Sequence, residues 1–202
     1  YEKQQQFGRL LEKEKIKGRY KASWVDFDKI PGKPIAYWAG TAIFDAFADS
    51  NLLSAVCKPM IGMRTGDNER FLRQWSEVNF GTTNLTANDA PDARESALKW
   101  FPYNKGGEFR RWYGNCDLLV EWENDGHQIK TETLIKYPQL SWDNLGWKIS
   151  NEKHFFKSGI TWTATSTGSF GVRLSPKGFL FDVKGSSAFP EKNDQSELSK
   201  LI

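Results

Sequence analysis

Histidine and cysteine are nearly missing from this chain of 202 residues, which has two of each. Cys57 and Cys116 stand far apart without a CxxC partner, so neither a disulfide framework nor a thiolate zinc site is expected. Both are read as reduced, buried thiols of a cytoplasmic protein. His127 follows an Asn-Asp-Gly triplet and reads as an exposed turn residue, while His154 in NEKHFF reads as a strand-edge residue. HExxH and GxSxG do not occur, which argues against hydrolysis by a zinc site or a nucleophile-elbow triad. GxxxxGK[ST] is absent and no GxGxxG follows a strand pattern, so a phosphate-cradling glycine loop has no support. No run approaches the roughly 18 apolar residues of a membrane-spanning helix, and the polar opening Tyr1–Gln6 lacks the apolar region of a signal peptide. Charge of one sign is also scarce: 28 Lys and Arg face 25 Asp and Glu, for a net charge of +3. Any case for nucleic acid must therefore rest on where the cations lie.

A metal-dependent nuclease needs a further acid near an acid-x-Lys triplet. Asp182-Val183-Lys184 supplies the triplet, but Ile160–Leu174 holds no carboxylate, and Asp117, Glu121 and Glu123 come without a lysine. Oxygen-ligated magnesium chemistry wants both in one place, so no metal site is expected.

What is present is a globular composition, 39% hydrophobic and 26% charged, long enough for one domain with appendages. The lysine-rich opening places Phe7, Leu10 and Leu11 at helical spacing, and EKNDQSELSKLI at the other end reads as an unfinished helix. With a first residue other than Met, the chain is expected to be a piece of a longer protein. TAIFDAFADS predicts a short helix with Ile43, Phe44 and Phe47 on one face. In GDNERFLRQWSEV, Asp67 or Asn68 can cap a helix whose apolar stripe is Phe71, Leu72, Trp75 and Val78. PDARESALKW predicts another helix, with Pro91 in its first turn. DLLVEWENDGHQIK predicts a hairpin turning at Asn124-Asp125-Gly126, and SGITWTAT, FGVRLS and GFLFDV predict three strands. The expected class is α+β, with helices mostly in the first half and a mainly antiparallel twisted sheet after about residue 115.

Chemistry collects at three places. KWFPYNKGGEFRRWY interleaves Lys99, Lys105, Arg110 and Arg111 with six aromatics and one acid, Glu108. Cations, glycine-freed amides and planar side chains are the parts of a nucleic-acid surface. Arg64, Thr65, Asn68, Arg70 and Arg73 surround a loop entering a helix, where unpaired amides favour phosphate. Thr165, Ser166, Ser169, Arg173 and Lys177 supply hydroxyls and cations around a β-hairpin tip.

GMRTGDNERFLRQW, KWFPYNKGGEFRRWYGN and GITWT…SPKGFLFD…GSSAFP together resemble, in order and spacing, the region after the catalytic domain in PglX-type adenine-specific DNA methyltransferases of BREX phage exclusion and restriction–modification. The resemblance runs from Ala36 to Pro190. It implies a target-recognition domain over residues 36–190, similar to those of type I specificity subunits and TaqI-like methylases. Residues 1–35 would then connect to a catalytic domain of the same parent chain, and residues 191–202 would begin a further helix. The implied partners are double-stranded DNA, that catalytic domain and other defence-system subunits, with no membrane. The implied parent enzyme uses S-adenosylmethionine to methylate adenine N6. The glycine-rich cofactor loop and the Asn-Pro-Pro-Tyr motif that such enzymes need do not occur here, so no cofactor and no catalytic residue are expected in this chain. The DNA-contacting candidates are Arg64, Thr65, Asn68, Arg70, Arg73, Lys105, Arg110, Arg111, Thr165, Ser166, Ser169, Arg173 and Lys177. Gly66, Gly106 and Gly107 are expected to shape loops, and Trp75, Trp100 and Trp112 to belong to the core. A protein-interaction module of a defence complex is the alternative, and nine tryptophans raise a carbohydrate-binding module as a third reading.

Overall fold

The computed structural model describes residues 21–49 and 57–190. The expected helices at the two termini lie outside the described residues. The chain forms two compact units, Tyr1–Leu52 and Leu53–Ile202.

In the first unit, α1 (Trp24–Phe27) starts where the Ser23 hydroxyl accepts from the Val25 amide, satisfying one of the donors a helix start leaves open. The predicted helix α2 is present at Thr41–Asp49. Of its expected apolar face only Phe44 is buried, against Ile30 and Ala36; Ile43 and Phe47 remain exposed.

The second unit is α+β, with two four-stranded sheets. The first has the order β1-β8-β5-β6, from Cys57–Met60, Ser187–Pro190, Gly159–Trp162 and Val172–Ser175, and every pair is antiparallel. The second has the order β2-β4-β3-β7, from Leu72–Gln74, Leu118–Glu121, Trp100–Asn104 and Leu180–Phe181. Only its β3–β7 edge is parallel. The main core lies where these sheets meet: Phe181 of β7 packs its ring 5.5 Å from Phe155 and 5.3 Å from Phe189 of β8. All five residues of β3 are buried, as fits a strand covered on both faces. Gly62 makes the close approach to β7 possible, because a Cβ there would overlap the Phe181 carbonyl.

Several expectations are corrected. The helix predicted over Asn68–Val78 stops after one turn, at α3 (Asn68–Phe71), although Asp67 caps it as predicted, its carboxylate accepting from the Arg70 amide at 3.1 Å. Leu72 leaves the helix because it pairs with Val120, and a ladder with a buried strand outweighs weak helical periodicity. Trp75 consequently points outward, 61% exposed, and Trp112 is 56% exposed; of the three tryptophans expected in the core only Trp100 is buried. Helix α4 (Ala90–Glu95) carries Pro91 in its first turn but ends early, since Lys99 and Trp100 are drawn into pairing with Thr82, Thr83 and β4.

The hairpin at Asn124-Asp125-Gly126 does not form. These residues do take positive φ, at 49°, 61° and 69°, but they lead into helix α5 (Glu123–Lys136) rather than a return strand. Ile129 and Thr133, four apart, are buried, and Lys130 is held by Asp125 at 2.9 Å and by Glu152. Helical spacing of a buried face decides the outcome that the turn triplet left open. His127 is exposed as expected but on this helix, stacked on Trp142, and His154 lies in a 3₁₀ turn stacked on Phe189 rather than on a strand edge. Three strands thus precede residue 115 and the longest described helix follows it, against the expected order. The three strands predicted between Ser158 and Val183 are present as β5, β6 and β7.

Candidate nucleic-acid interface

Strand β3 ends at Asn104, and the chain then crosses the β5–β6 hairpin as a loop. Gly106 has a φ of 83°, and a Cβ there would sit 2.8 Å from the Lys184 carbonyl, so the loop and the strand ends touch only because glycine is there. Thr163 donates to the Gly107 carbonyl at 2.9 Å, the Trp112 amide donates to Val172, and the Leu174 amide donates to Trp112. The second and third motifs of the sequence are therefore one surface. The first joins it at Lys105, whose ammonium donates to Asn68 Oδ1 at 2.6 Å and lies 3.6 Å from Asp182. Thr65, itself buried, donates to the same Asn68 oxygen at 2.8 Å.

These contacts enclose a cleft of about 290 Å³ lined by Arg64, Thr65, Asn68, Lys105, Asp182 and Lys184. Arg64 donates to the Trp147 carbonyl at 2.6 Å and lies over the Trp147 ring. Lys105 has its affinity for protons lowered by burial, with the Asp182 carboxylate opposing that shift. Tyr103, beneath the cleft, donates to Asp182 at 2.9 Å, and burial together with Asp182 raises its pKa well above 10. The unfolded chain would release the Tyr103 proton at about pH 10 while the folded chain keeps it. Stability from this group is then full below about pH 10 and falls as pH rises beyond it. Urea unfolding between pH 8 and 11.5 should show that decline, and Tyr103→Phe, which cannot ionise, should flatten it.

Ten of the thirteen candidates fall on this surface, and three do not. Arg110 and Arg111 are exposed on the crossing loop, with Arg111 5.3 Å from the Phe109 ring. Thr165, Ser166 and Ser169 are exposed at the hairpin tip, and Arg173 lies beneath it. Arg70 instead pairs with Glu132 at 3.0 Å, and Arg73 is turned back onto the Glu69 and Leu72 carbonyls and the Trp100 ring. Lys177 sits on the turn between β6 and β7, where Gly178 packs on the backbone of Leu85. Sequence reasoning missed Lys184 as a member of the surface and Asp182 as its buried anchor. The signal was the Asp-Val-Lys alternation itself, which was read only as a possible metal triplet. Among the described residues no three His, Cys, Asp or Glu side chains are grouped as a metal site would require. Among the same residues no helix is long and apolar enough to cross a membrane. Cys57 is a buried free thiol as expected, while Cys116 is only half-buried.

No family model matches the chain. An adenine-specific methyltransferase PglX of Lacticaseibacillus casei strain Zhang is 38% identical over 197 residues, which is 97% of this chain. The chain is a relative of PglX-type adenine-specific methyltransferases. The adenine-specific methyltransferase BrxX of Escherichia coli O9:H4 strain HS is 37% identical over 178 residues, 88% of the chain. The chain spans only 16% of the PglX protein and 13% of the BrxX protein, so the similarity concerns one segment of each. The PglX resemblance carried by the three sequence motifs is thereby borne out, and those motifs are the elements that meet around the cleft.

Proposed function

We propose that this chain is the DNA target-recognition region of a site-specific N6-adenine methyltransferase acting in phage defence of the BREX or restriction–modification kind. It reads double-stranded DNA while a catalytic domain elsewhere in the parent chain binds S-adenosylmethionine and methylates the flipped adenine. Residues 36–190 form the recognition domain, akin to those of type I specificity subunits and TaqI-like methylases. Residues 1–35 lead from the catalytic domain, and residues 191–202 begin the helix that follows. This region holds neither the cofactor nor the methyl-transfer groups, works in the cytoplasm, and has the other defence subunits as further partners.

The observation that carries the reading is the convergence of Arg64, Lys105, Arg110, Arg111 and Lys184 with the hydroxyl-rich tip Thr165–Ser169 on one surface. Cations suit phosphates and fix register, whereas hydroxyls and amides on a stiff hairpin suit base edges. The two roles separate experimentally. In the intact methyltransferase, log affinity for duplex should fall with log salt at about 0.9 per phosphate neutralised. Changing Thr165, Ser166 and Ser169 to alanine should leave that slope alone and shift the methylated sequence read by methylome sequencing. Duplex affinity that stays flat with salt would count against the reading.

A groove of about 250 Å³ lined by Trp75, Phe80, Leu85, Tyr113 and Phe179 favours a second reading, a surface that docks another protein. A complex that survives nuclease and high salt, and is lost on Trp75→Ala, would support it.

A further inference from the structure

Arg173 is the most awkward charge among the described residues. It sits on β6 opposite Thr161, 2% exposed, and its Nε finds no hydrogen-bond partner. No carboxylate lies within ion-pair distance of it among the described residues; of the other buried cations, Lys130 has Asp125 and Glu152, and Lys148 donates to the Tyr137 hydroxyl at 2.7 Å. Among the described residues the titratable group that faces it is Cys116, and burial raises that thiol's pKa, so it offers no anion at neutral pH. A guanidinium held dry without a counter-charge is costly, and a fold keeps one when something else supplies the charge.

The geometry shows where that charge would enter. Arg173 lines a slot between the crossing loop and the hairpin, with Gly107, Phe109, Thr163, Ser166, Ser169 and Gly171 as its other walls. The slot measures about 10 Å³, room for one oxygen atom and not for a whole tetrahedral group. Ser166 and Ser169, both exposed, are part of its lining, and their hydroxyls can donate to the same ligand. Thr163 is already committed to Gly107 and Ser166 accepts from the Gly168 amide at 3.1 Å, so the rim keeps two serine hydroxyl protons to donate and the floor has the unpartnered Arg173 Nε.

We infer that Arg173 is the floor of an oxyanion site, in which the slot admits one non-bridging oxygen of a DNA phosphodiester while Ser166 and Ser169 hold the same phosphate at the rim. The inference deepens the proposed DNA reading: it assigns Arg173, Ser166 and Ser169 to phosphate anchoring and leaves Thr165 at the tip among the groups that would meet bases. Planar guanidinium with flanking hydroxyls is a donor set that phosphate oxygens match well. Anchoring the backbone under the hairpin would fix the tip's register on the duplex.

Two arms test this and keep its failure separate from that of the DNA reading. In the first, thermal unfolding of the full chain is followed in sodium phosphate and in sodium chloride at matched ionic strength. The native chain should be stabilised by phosphate beyond chloride, and Arg173→Met should abolish that difference. Arg173→Met in chloride should unfold no earlier than the native chain, because it removes an unpaired buried charge. Arg173→Lys, which keeps a cation, should retain part of the phosphate effect. An equal phosphate shift in the native chain and Arg173→Met, or loss of folding in both variants, would make Arg173 a structural strut and overturn the inference. In the second arm, duplex binding by the intact methyltransferase should lose about 0.9 from its salt slope on Arg173→Met. An unchanged slope with binding intact overturns the Arg173 assignment alone. Failure of the native enzyme to bind duplex overturns the DNA reading, and the phosphate arm still decides Arg173.

Discussion

Alanine at Lys105, Arg110 and Arg111 together should lower the salt slope of duplex binding by about 2.7, from about 0.9 for each cation removed. Between 50 and 500 mM salt that is a loss of about 2.7 fewer decades of affinity than the native enzyme shows, measurable by fluorescence anisotropy. The three do not contribute alike. Arg110 and Arg111 are exposed; Arg111 lies over the exposed Phe109 ring, and neither forms an ion pair among the described residues. Lys105 is half-buried, and it bridges Asn68 and Asp182 across the cleft. Its removal leaves Asp182, itself 6% exposed, with the Tyr103 hydroxyl and the Lys184 amide as partners. Lys105→Ala alone should therefore lower stability as well as affinity, while Arg110→Ala with Arg111→Ala should leave the unfolding midpoint unchanged. A triple variant that binds duplex with the native slope would remove these residues from the interface.

Phe181→Ala should cost about 3–5 kcal/mol, the range for deleting a fully buried aromatic side chain. Phe181 is 1% exposed and touches Phe155 and Phe189, so its ring joins the two sheets. Losses of this size approach the whole stability of many domains, and the variant should be largely unfolded at 37 °C by circular dichroism. Phe179→Ala should cost distinctly less, because Phe179 is only half-buried and lines the surface groove. Equal unfolding midpoints for the two variants would refute this account of the core.

Those two neighbours, alike in sequence, show where reading the chain reaches its limit. Alternation in GFLFDV identified a strand, but which phenylalanine closes the core depended on β7 lying parallel to β3 and against β8. Local signals held wherever a short-range cause was sufficient: Asp67 as a cap, Pro91 in a first turn, positive φ at Asn124-Asp125-Gly126. They failed where a distant partner competed, as when Val120 drew Leu72 out of a helix. Arg70 and Arg73 looked like interface cations because they sit two residues after Asn68 and beyond. In the fold Arg70 pairs with Glu132 and Arg73 lies over the Trp100 ring.

The sequence by itself determined the α+β class, the kinship with PglX-type methyltransferases, and the three motifs that carry it, because composition, strand alternation and ordered residue identity are local properties of the chain. Only the tertiary structure decided that these motifs form one surface, that Lys184 and Asp182 belong to it, and that Arg173 lies buried without a counter-charge among the described residues. Each of those depends on contacts between residues roughly 40 to 120 positions apart, made through the close glycine approaches at Gly62 and Gly106, and no local pattern records which distant backbone a glycine will meet.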